Sequence, residues 1–386
     1  MDYRKESLKR HYEWKGKIET VCRVNVDNKQ DLCLAYTPGV AEPCLEIHND
    51  INKSFELTRR WNTVAVITDG TAILGLGDIG PEAGMPVMEG KCALFKAFGN
   101  VDAFPICLKT KDTEEIIKTI KIISGSFGGI NLEDISAPRC FEILERLSSE
   151  LDIPIFHDDQ YGTAIVVSAA LLNALKVANK DISKVKVVVN GAGAAGIAIS
   201  RFLLDLGVTN LVVCDKAGII NYDDDNFNVV QQELASIINK DKVKGTLKDA
   251  MVNADVFIGV SVRNVVTKEM VKSMNEKAIL FPLANPVPEI SYDDAKEAGA
   301  FIVGTGSSEK PNQINNVLVF PGIFRGALDA KSKVSKEMMI AAAYAIKDCV
   351  SEDKLNPEYI IPYAWDNLAH ESVANAVKNI ALNNKK

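Results

Sequence analysis

Two pairs of acidic residues stand where the sequence could hold a metal ion. Glu133 and Asp134 directly follow one short apolar segment, and Asp158 and Asp159 closely follow another. The segments, Ile130–Leu132 and Ile153–Phe156, are typical of strands. Ligands bind beyond the carboxyl ends of strands in open α/β sheets, so the two pairs could meet in one pocket. Their oxygen ligands suit Mg²⁺ or Mn²⁺. Solvated loop acids and helix caps are the alternative, and the residues alone leave both open.

A glycine turn after a run of valines predicts a dinucleotide-binding site. Val185–Val189 is typical of a strand buried on both faces, and Gly191, Gly193 and Gly196 follow it. In this pattern the first glycine permits the tight turn, the second lets the backbone approach a pyrophosphate, and the third lets the helix pack closely. Asp215 ends the next predicted strand about 20 residues later, where a carboxylate can accept the adenosine ribose hydroxyls. The turn therefore predicts NAD or NADP as a cofactor.

The segment LGLGDIG repeats the glycine spacing without its context. Gly75, Gly77 and Gly80 match the pattern, but Pro81 follows at once and no strand ending in a carboxylate lies at the required distance. We predict a loop here, with an amphipathic helix following only from about Val87 to Phe98.

Several other polar residues could contribute chemistry, although the local sequence does not require it. Tyr36 lies on a turn rich in proline and glycine, where a half-buried structural tyrosine is the ordinary interpretation. Lys91 lies on the helix after LGLGDIG, where lysines are usually solvated. Asn285, Asn315 and Asn316 follow predicted strand ends or turns, so their amides could reach a ribose, a nicotinamide or a substrate carboxylate. Loop asparagines are more often turn formers.

The elements that must position these residues alternate between strand and helix, which predicts an α/β fold of two domains. A chain of 386 residues also exceeds the usual size of a single core. We predict an N-terminal α/β domain over residues 1–160 that holds the metal ligands. Residues 161–386 should form a Rossmann-type, doubly wound NAD(P)-binding domain. Its C-terminal helices, at about 336–350 and 367–382, could pack back on the first domain.

Composition narrows the classes of partner. The net charge of −7 comes without a strong basic cluster, so neither a nucleic acid nor a membrane is an expected partner. The eight cysteines occur singly, without the close pairs of zinc or redox motifs, and we expect free thiols. The first residues carry charges but no apolar signal segment, which predicts a cytoplasmic protein.

Long motifs spread over nearly the whole chain closely resemble the short, bacterial-type malic enzymes. These motifs are AYTPGVAEP, ITDGTAILGLGDIGPEAGMPVMEGK, VDAFPICL, FGGINLEDISAPRCFEI, IPIFHDDQYGTAIV, NGAGAAG, LANPVPEI and NNVLVFPGIFRGAL. The resemblance implies that Tyr36 is the general acid and Lys91 the general base. It implies that Glu133, Asp134 and Asp159 are the metal ligands. It further implies cofactor contacts from the LGLGDIG loop, Ala192 and Asn285, substrate contacts from Lys91, Asn285 and Asn316, and a homodimer.

The resemblance implies oxidative decarboxylation of L-malate to pyruvate and CO₂, with reduction of NAD⁺ or NADP⁺ and a requirement for Mg²⁺ or Mn²⁺. As general base, Lys91 would have to be kept partly neutral by its site. A malolactic enzyme, which retains NAD and releases lactate, is one alternative. A nucleotide-sensing protein without catalysis is another, although every position with an implied role holds a competent residue.

Some positions depart from the family's pattern. Tyr161 stands where histidine is usual, and Ser307 and Lys310 stand where arginine and tyrosine are frequent. Because Asp215 would repel a 2′-phosphate while Lys216 could bind one, the sequence favours NAD⁺ only slightly.

Overall fold

The computed structural model describes residues 3–73 and 75–384. The chain begins with four short helices, and none of the first three has a buried residue. Asn28 caps the second helix by accepting a hydrogen bond from the backbone N–H of Asp31. These helices are α1 (Tyr3–Trp14), α2 (Lys29–Ala35), α3 (Ala41–Asn49) and α4 (Ser54–Leu57).

The first sheet has four parallel strands. They are β1 (Thr63–Thr68), β2 (Asp102–Cys107), β3 (Gly129–Leu132) and β4 (Ile155–His157), with α5 (Pro81–Gly99), α6 (Thr113–Ile123) and α7 (Arg139–Glu150) between them. Every residue of β1 is buried, as expected for a central parallel strand. The spatial order is β2-β1-β3-β4, so the chain reverses direction across the sheet between β1 and β3. A crevice at such a reversal is the usual ligand site of an open α/β sheet.

A buried helix leads from this sheet into the second one. It is α8 (Thr163–Ala178), preceded by a π-helical turn at Asp158–Gly162. Residues 158–178 are long and apolar enough to cross a membrane, but 72% of their most apolar window is buried inside the protein. We therefore interpret α8 as a core helix.

The second sheet has six strands in the order β10-β9-β8-β5-β6-β7. All pairs are parallel except β6 with β7. The strands are β5 (Lys186–Asn190), β6 (Asn210–Asp215), β7 (Gly218–Ile219), β8 (Val256–Gly259), β9 (Ile279–Pro282) and β10 (Ile302–Val303). The helices are α9 (Ala194–Asp205), α10 (Val229–Ile238), α11 (Leu247–Met251), α12 (Lys268–Lys272) and α13 (Tyr292–Glu297). The direction reverses between β5 and β8, directly beside the glycine turn, which confirms the doubly wound fold.

Three C-terminal helices follow the second sheet. They are α14 (Phe320–Ala330), α15 (Lys336–Asp348) and α16 (Asn367–Asn383). Of these, α14 and α16 pack against α5 of the first domain, whereas α15 packs against α8. The rings of Phe95 on α5 and Phe320 on α14 lie 4.7 Å apart, and Phe98 stacks on His370 of α16 at 4.3 Å. One helix was predicted too short: α5 begins at Pro81, with Gly80 as its N-cap, rather than near Val87. Proline is favoured in the first turn because the missing N–H has no helical partner there.

Candidate active site

Glu133, Asp134 and Asp159 converge at the edge of the first sheet. Each offers a carboxylate oxygen, and these oxygens lie within 4.8 Å of one another. β3 and β4 are neighbouring parallel strands, so the residues that follow them reach the same edge. Asp134 has a left-handed φ of 54°, and its backbone N–H donates to Asp159 Oδ2 at 2.8 Å.

The charge of this cluster favours a divalent cation. Burial raises the pKa of Glu133 well above its ordinary value, and the neighbouring carboxylates Asp159, Asp158 and Asp134 raise it further against the opposing effect of Lys91. Grouping like charges out of water is costly unless a cation compensates them. Three converging carboxylates are also a ligand set that Mg²⁺ and Mn²⁺ prefer, so the residues present fit the expected metal.

Lys91 reaches this cluster from the middle of α5. Its Nζ lies 2.6 Å from Asp158 Oδ2 and 2.9 Å from Glu133 Oε1, and 4.3 Å from the centre of the Phe320 ring. Burial alone would lower the pKa of Lys91, but the two carboxylates outweigh it and hold the pKa above its ordinary value. The pairing with two acids therefore favours the protonated form of Lys91, whereas its predicted role as general base requires a partly neutral lysine.

Asn316 is connected to the same group. Its amide donates to Asp158 Oδ2 at 3.1 Å and to Thr163 Oγ1 at 3.0 Å. The side chain of Asn315 instead accepts from the backbone N–H of Val317 at 3.0 Å. Of the two asparagines, Asn316 thus has the side chain tied to the ion pair of Lys91.

These side chains line a cavity of about 420 Å³ between the two sheets. One wall of the cavity is formed by Lys91, Asp158, Asn316 and the carboxylate cluster of Glu133, Asp134 and Asp159. Further lining residues come from the loops of the second domain, namely Ala284, Asn285 and Gly306. The LGLGDIG loop closes against that domain at Gly75, where a Cβ would lie 2.2 Å from the carbonyl oxygen of Asn285. Gly75 lines the cavity, whereas Gly77 and Gly80 are not among its described lining residues.

A second cavity of about 530 Å³ follows the glycine turn after β5. A Cβ on Gly196 would lie 1.7 Å from the carbonyl oxygen of Gly191, so that contact requires glycine. Gly193 instead faces open space in the cavity, as a close approach to a phosphate would need. Ala192 and Asp215 also line this cavity, and Val260 and Ser261 line both cavities. The two cavities therefore meet, with room for an extended dinucleotide.

Tyr36 is not brought to this site within one chain. The residue is 66% exposed, between helices α2 and α3, and it is not among the described residues that line the cavity. The remaining residues with predicted catalytic or metal-binding roles, Lys91 and the three carboxylates, do lie together.

Two residues of the site have roles that the sequence did not indicate. Asp158 was grouped with the possible metal ligands, but in the structure it makes the shortest contact of Lys91, at 2.6 Å. Glu289 is fully buried and accepts from the backbone N–H groups of Ser261 and Ala284, at 2.8 and 3.1 Å. It thereby joins the loops after β8 and β9 behind the cavity. No local pattern around Glu289 indicated this role.

Comparison with known proteins identifies the family of the chain. The family described as "Malic enzyme, N-terminal domain" matches residues 15–148, and "Malic enzyme, NAD binding domain" matches residues 160–382. The chain is 56% identical to the bifunctional malic/malolactic enzyme of Bacillus subtilis, over 99% of this chain and 94% of the relative. It is 55% identical to the NAD-dependent malic enzyme of Geobacillus stearothermophilus, over 95% and 77%.

A solved structure gives the same result for the fold. The crystal structure of the NAD-dependent malic enzyme from Thermotoga maritima superposes with a TM-score of 0.93 at 53% identity, covering 96% of this chain and 98% of that one. An NADP-dependent relative, from Escherichia coli, is 45% identical over 95% of this chain and 50% of its own length. The carboxylate cluster, the buried lysine and the glycine turn thus occur in a chain that belongs to the malic enzyme family.

Proposed function

We propose that this chain oxidatively decarboxylates L-malate to pyruvate and CO₂ and reduces NAD⁺ or NADP⁺, with Mg²⁺ or Mn²⁺ bound. One observation carries the proposal beyond family membership. The contacts of Lys91 with Asp158 and Glu133 lie in the cavity that continues into the dinucleotide groove. A hydroxy acid there would have a base, a metal site and a hydride acceptor within one enclosure.

The groups would divide the chemistry as follows. A bound divalent cation would polarise the C2 oxygen of malate, and the nicotinamide would accept the hydride. Glu133, Asp134 and Asp159 would hold the cation. Lys91 would take the proton of the C2 hydroxyl, which requires that it first release its own proton to water once a bound cation competes for the carboxylates that hold it.

Asp158 and Asn316 would position rather than react. Asp158 holds Nζ of Lys91 at 2.6 Å, and Asn316 donates to the same carboxylate oxygen at 3.1 Å. Asn285, on the opposite wall, and the remaining hydrogen-bonding capacity of Asn316 would orient the substrate carboxylates or the nicotinamide amide.

The proton for C3 would come from Tyr36 of a second copy in a homodimer. The first three helices have no buried residue, and large apolar side chains such as Tyr12, Leu34 and Tyr36 are exposed on or beside them. A second copy of the chain would cover this apolar surface and could receive the Tyr36 hydroxyl in its own cavity.

Mixing two inactive variants tests the homodimer directly. If Tyr36 acts in the partner's site, a Lys91→Ala chain and a Tyr36→Phe chain form mixed dimers with one intact site. Refolding the two variants together should then restore about a quarter of wild-type activity, because about half of the dimers are mixed. Activity no higher than that of the separate variants would reject the exchange of Tyr36.

We place the domain boundary at residue 160, in front of α8. The two family matches support this division, since one ends at residue 148 and the other begins at residue 160.

The reaction itself is tested by mixing the protein with L-malate, Mn²⁺ and either nicotinamide cofactor. Reduced cofactor and pyruvate should accumulate in equal amounts, and an excess of chelator should stop both. Absence of turnover with both cofactors, in protein that binds NADH, would reject the proposal.

Malolactic decarboxylation is the second candidate, because the relative from Bacillus subtilis is named for both activities. The cavity has the two features that this reaction also needs, a carboxylate cluster that could hold a metal ion and an adjoining dinucleotide groove. Lactate formed from malate without accumulation of reduced cofactor would identify this activity, and pyruvate formed with reduced cofactor would identify the first. A sensor without catalysis would give neither product.

A further inference from the structure

Gln231 joins the two parts of the dinucleotide groove. It lies in the first turn of α10, and its Nε2 donates to the carbonyl oxygen of Ala192 at 3.0 Å and to Asp215 Oδ2 at 2.6 Å. Ala192 belongs to the glycine turn, and Asp215 ends β6. A single amide therefore fixes the spacing between the turn that would bind the pyrophosphate and the carboxylate that would bind the ribose.

The orientation of this amide is determined by its partners. Gln231 Oε1 accepts from the backbone N–H of Asn228 at 2.9 Å, while both partners of Nε2 are acceptors. The backbone N–H of Gln231 also donates to Asn228 Oδ1, completing a capping box at the start of α10. With 7% of the residue exposed, this side chain has little freedom to move.

Asp215 is held from two sides as a result. Its Oδ1 accepts from the backbone N–H of Lys216 at 2.7 Å, and its Oδ2 accepts from Gln231. An anchored carboxylate is already oriented for ribose hydroxyls and cannot swing away from a 2′-phosphate. Discrimination between NAD and NADP would then depend on the immobility of Asp215 as well as on its charge.

On this basis we propose that Gln231 is a positioning residue that determines cofactor preference, by holding Asp215 in place for the ribose of NAD. The inference rests on the proposed use of NAD(P), and it adds a residue that acts through Asp215. The proposal also requires that Asp215 accept hydrogen bonds from the ribose hydroxyls. Asp215 lines the 530 Å³ cavity, so a bound ribose could reach its carboxylate.

The test is direct binding of NADH and NADPH, followed by fluorescence and without malate. Gln231→Met keeps the length of the side chain and removes its hydrogen bonds. We expect NADH to bind about tenfold more weakly, as for a lost hydrogen bond to a charged group, and NADPH to change much less. The matched control is Gln232→Met on the same helix, because the amide of Gln232 donates instead to the backbone of Asp224. It should leave both affinities unchanged.

A double variant separates positioning from general loss of structure. Asp215→Asn alone should also relax the preference for NADH, and adding Gln231→Met to it should change the NADH-to-NADPH ratio no further, because Gln231 acts through Asp215. The proposal would be overturned if Gln231→Met weakened the binding of NADH and NADPH equally. It would also be overturned if adding Gln231→Met to Asp215→Asn shifted the NADH-to-NADPH affinity ratio as much as Gln231→Met does alone. A wild-type chain that binds NADPH more tightly than NADH would overturn it as well. If the wild type and the variants bound the two cofactors as expected but the wild type did not turn over malate, only the proposed reaction would be rejected.

Discussion

Lys91 Nζ lies 2.6 Å from Asp158 Oδ2, and this ion pair joins helix α5 to the π-helical turn that precedes α8. The pair is buried, with 12% of the Lys91 side chain and 1% of the Asp158 side chain exposed. Asp159, the next residue of the same turn, belongs to the carboxylate cluster. Lys91, the proposed base, and the proposed metal site are therefore fixed relative to each other by one short backbone segment. π-helical turns are frequent at functional sites, and this one contributes to both groups.

Asp159→Asn should raise the Mn²⁺ concentration needed for half-maximal activity by at least about tenfold, since the cluster loses one of its three carboxylates. Mn²⁺ binding followed by electron paramagnetic resonance should weaken in parallel, which separates the metal effect from catalysis. Asp353→Asn, at an exposed acid, is the control and should change neither value. Unchanged Mn²⁺ affinity in the Asp159 variant would remove this residue from the metal site.

Gly193→Ala and Gly196→Ala should fail for different reasons. A Cβ on Gly193 meets no described atom within 4 Å, so the chain should fold normally while the new methyl group occupies the groove and weakens NADH binding by about tenfold or more. A Cβ on Gly196 would collide with the backbone of Gly191, so that variant should lose thermal stability as well. Thermal unfolding and NADH titration of both variants distinguish the two effects. Normal NADH binding by Gly193→Ala would contradict the proposed path of the cofactor.

Most of the fold was predictable because strand patterns and helix caps are local. β3 (Gly129–Leu132) contains the predicted strand Ile130–Leu132, and α16 (Asn367–Asn383) contains the helix predicted at about 367–382. The start of α5 was missed because Pro81 was interpreted as a break, whereas proline is compatible with the first turn of a helix.

The candidate site was less predictable, since its contacts join residues far apart in the chain. The resemblance indicated Lys91 but not its pairing with Asp158, 67 residues away. That pairing raises the pKa of Lys91, contrary to the expected neutral base. The exposed location of Tyr36, outside the cavity of its own chain, depends on tertiary structure that no local pattern encodes.

Gly259→Ala should destabilise the second domain without touching the cofactor. A Cβ there would lie 2.4 Å from the carboxyl carbon of Glu289, which is fully buried and holds the loops after β8 and β9. Overpacking of this kind costs about 1–3 kcal/mol, which chemical denaturation can measure. Gly125→Ala is the matched control, because a Cβ there meets nothing described within 4 Å. Equal stability of the two variants would show that Glu289 can move away without cost.

Lys91→Ala and Tyr36→Phe should damage different halves of the reaction. Oxidation of malate begins with removal of the C2 hydroxyl proton, whereas decarboxylation of supplied oxaloacetate does not. Loss of a positioned acid or base costs about 10²–10⁴-fold, so Lys91→Ala should reduce malate oxidation by that factor and affect metal-dependent oxaloacetate decarboxylation less. Tyr36→Phe should instead slow protonation of enolpyruvate and leave hydride transfer in a single turnover nearly intact.

Lys96→Ala, at an exposed lysine on the same helix, controls for loss of a cation from α5. Lys91→Ala and Tyr36→Phe should be compared at saturating metal, after confirming that each binds malate and cofactor normally. Equal damage to every partial reaction in both would show that Lys91 and Tyr36 do not have separate roles as base and acid.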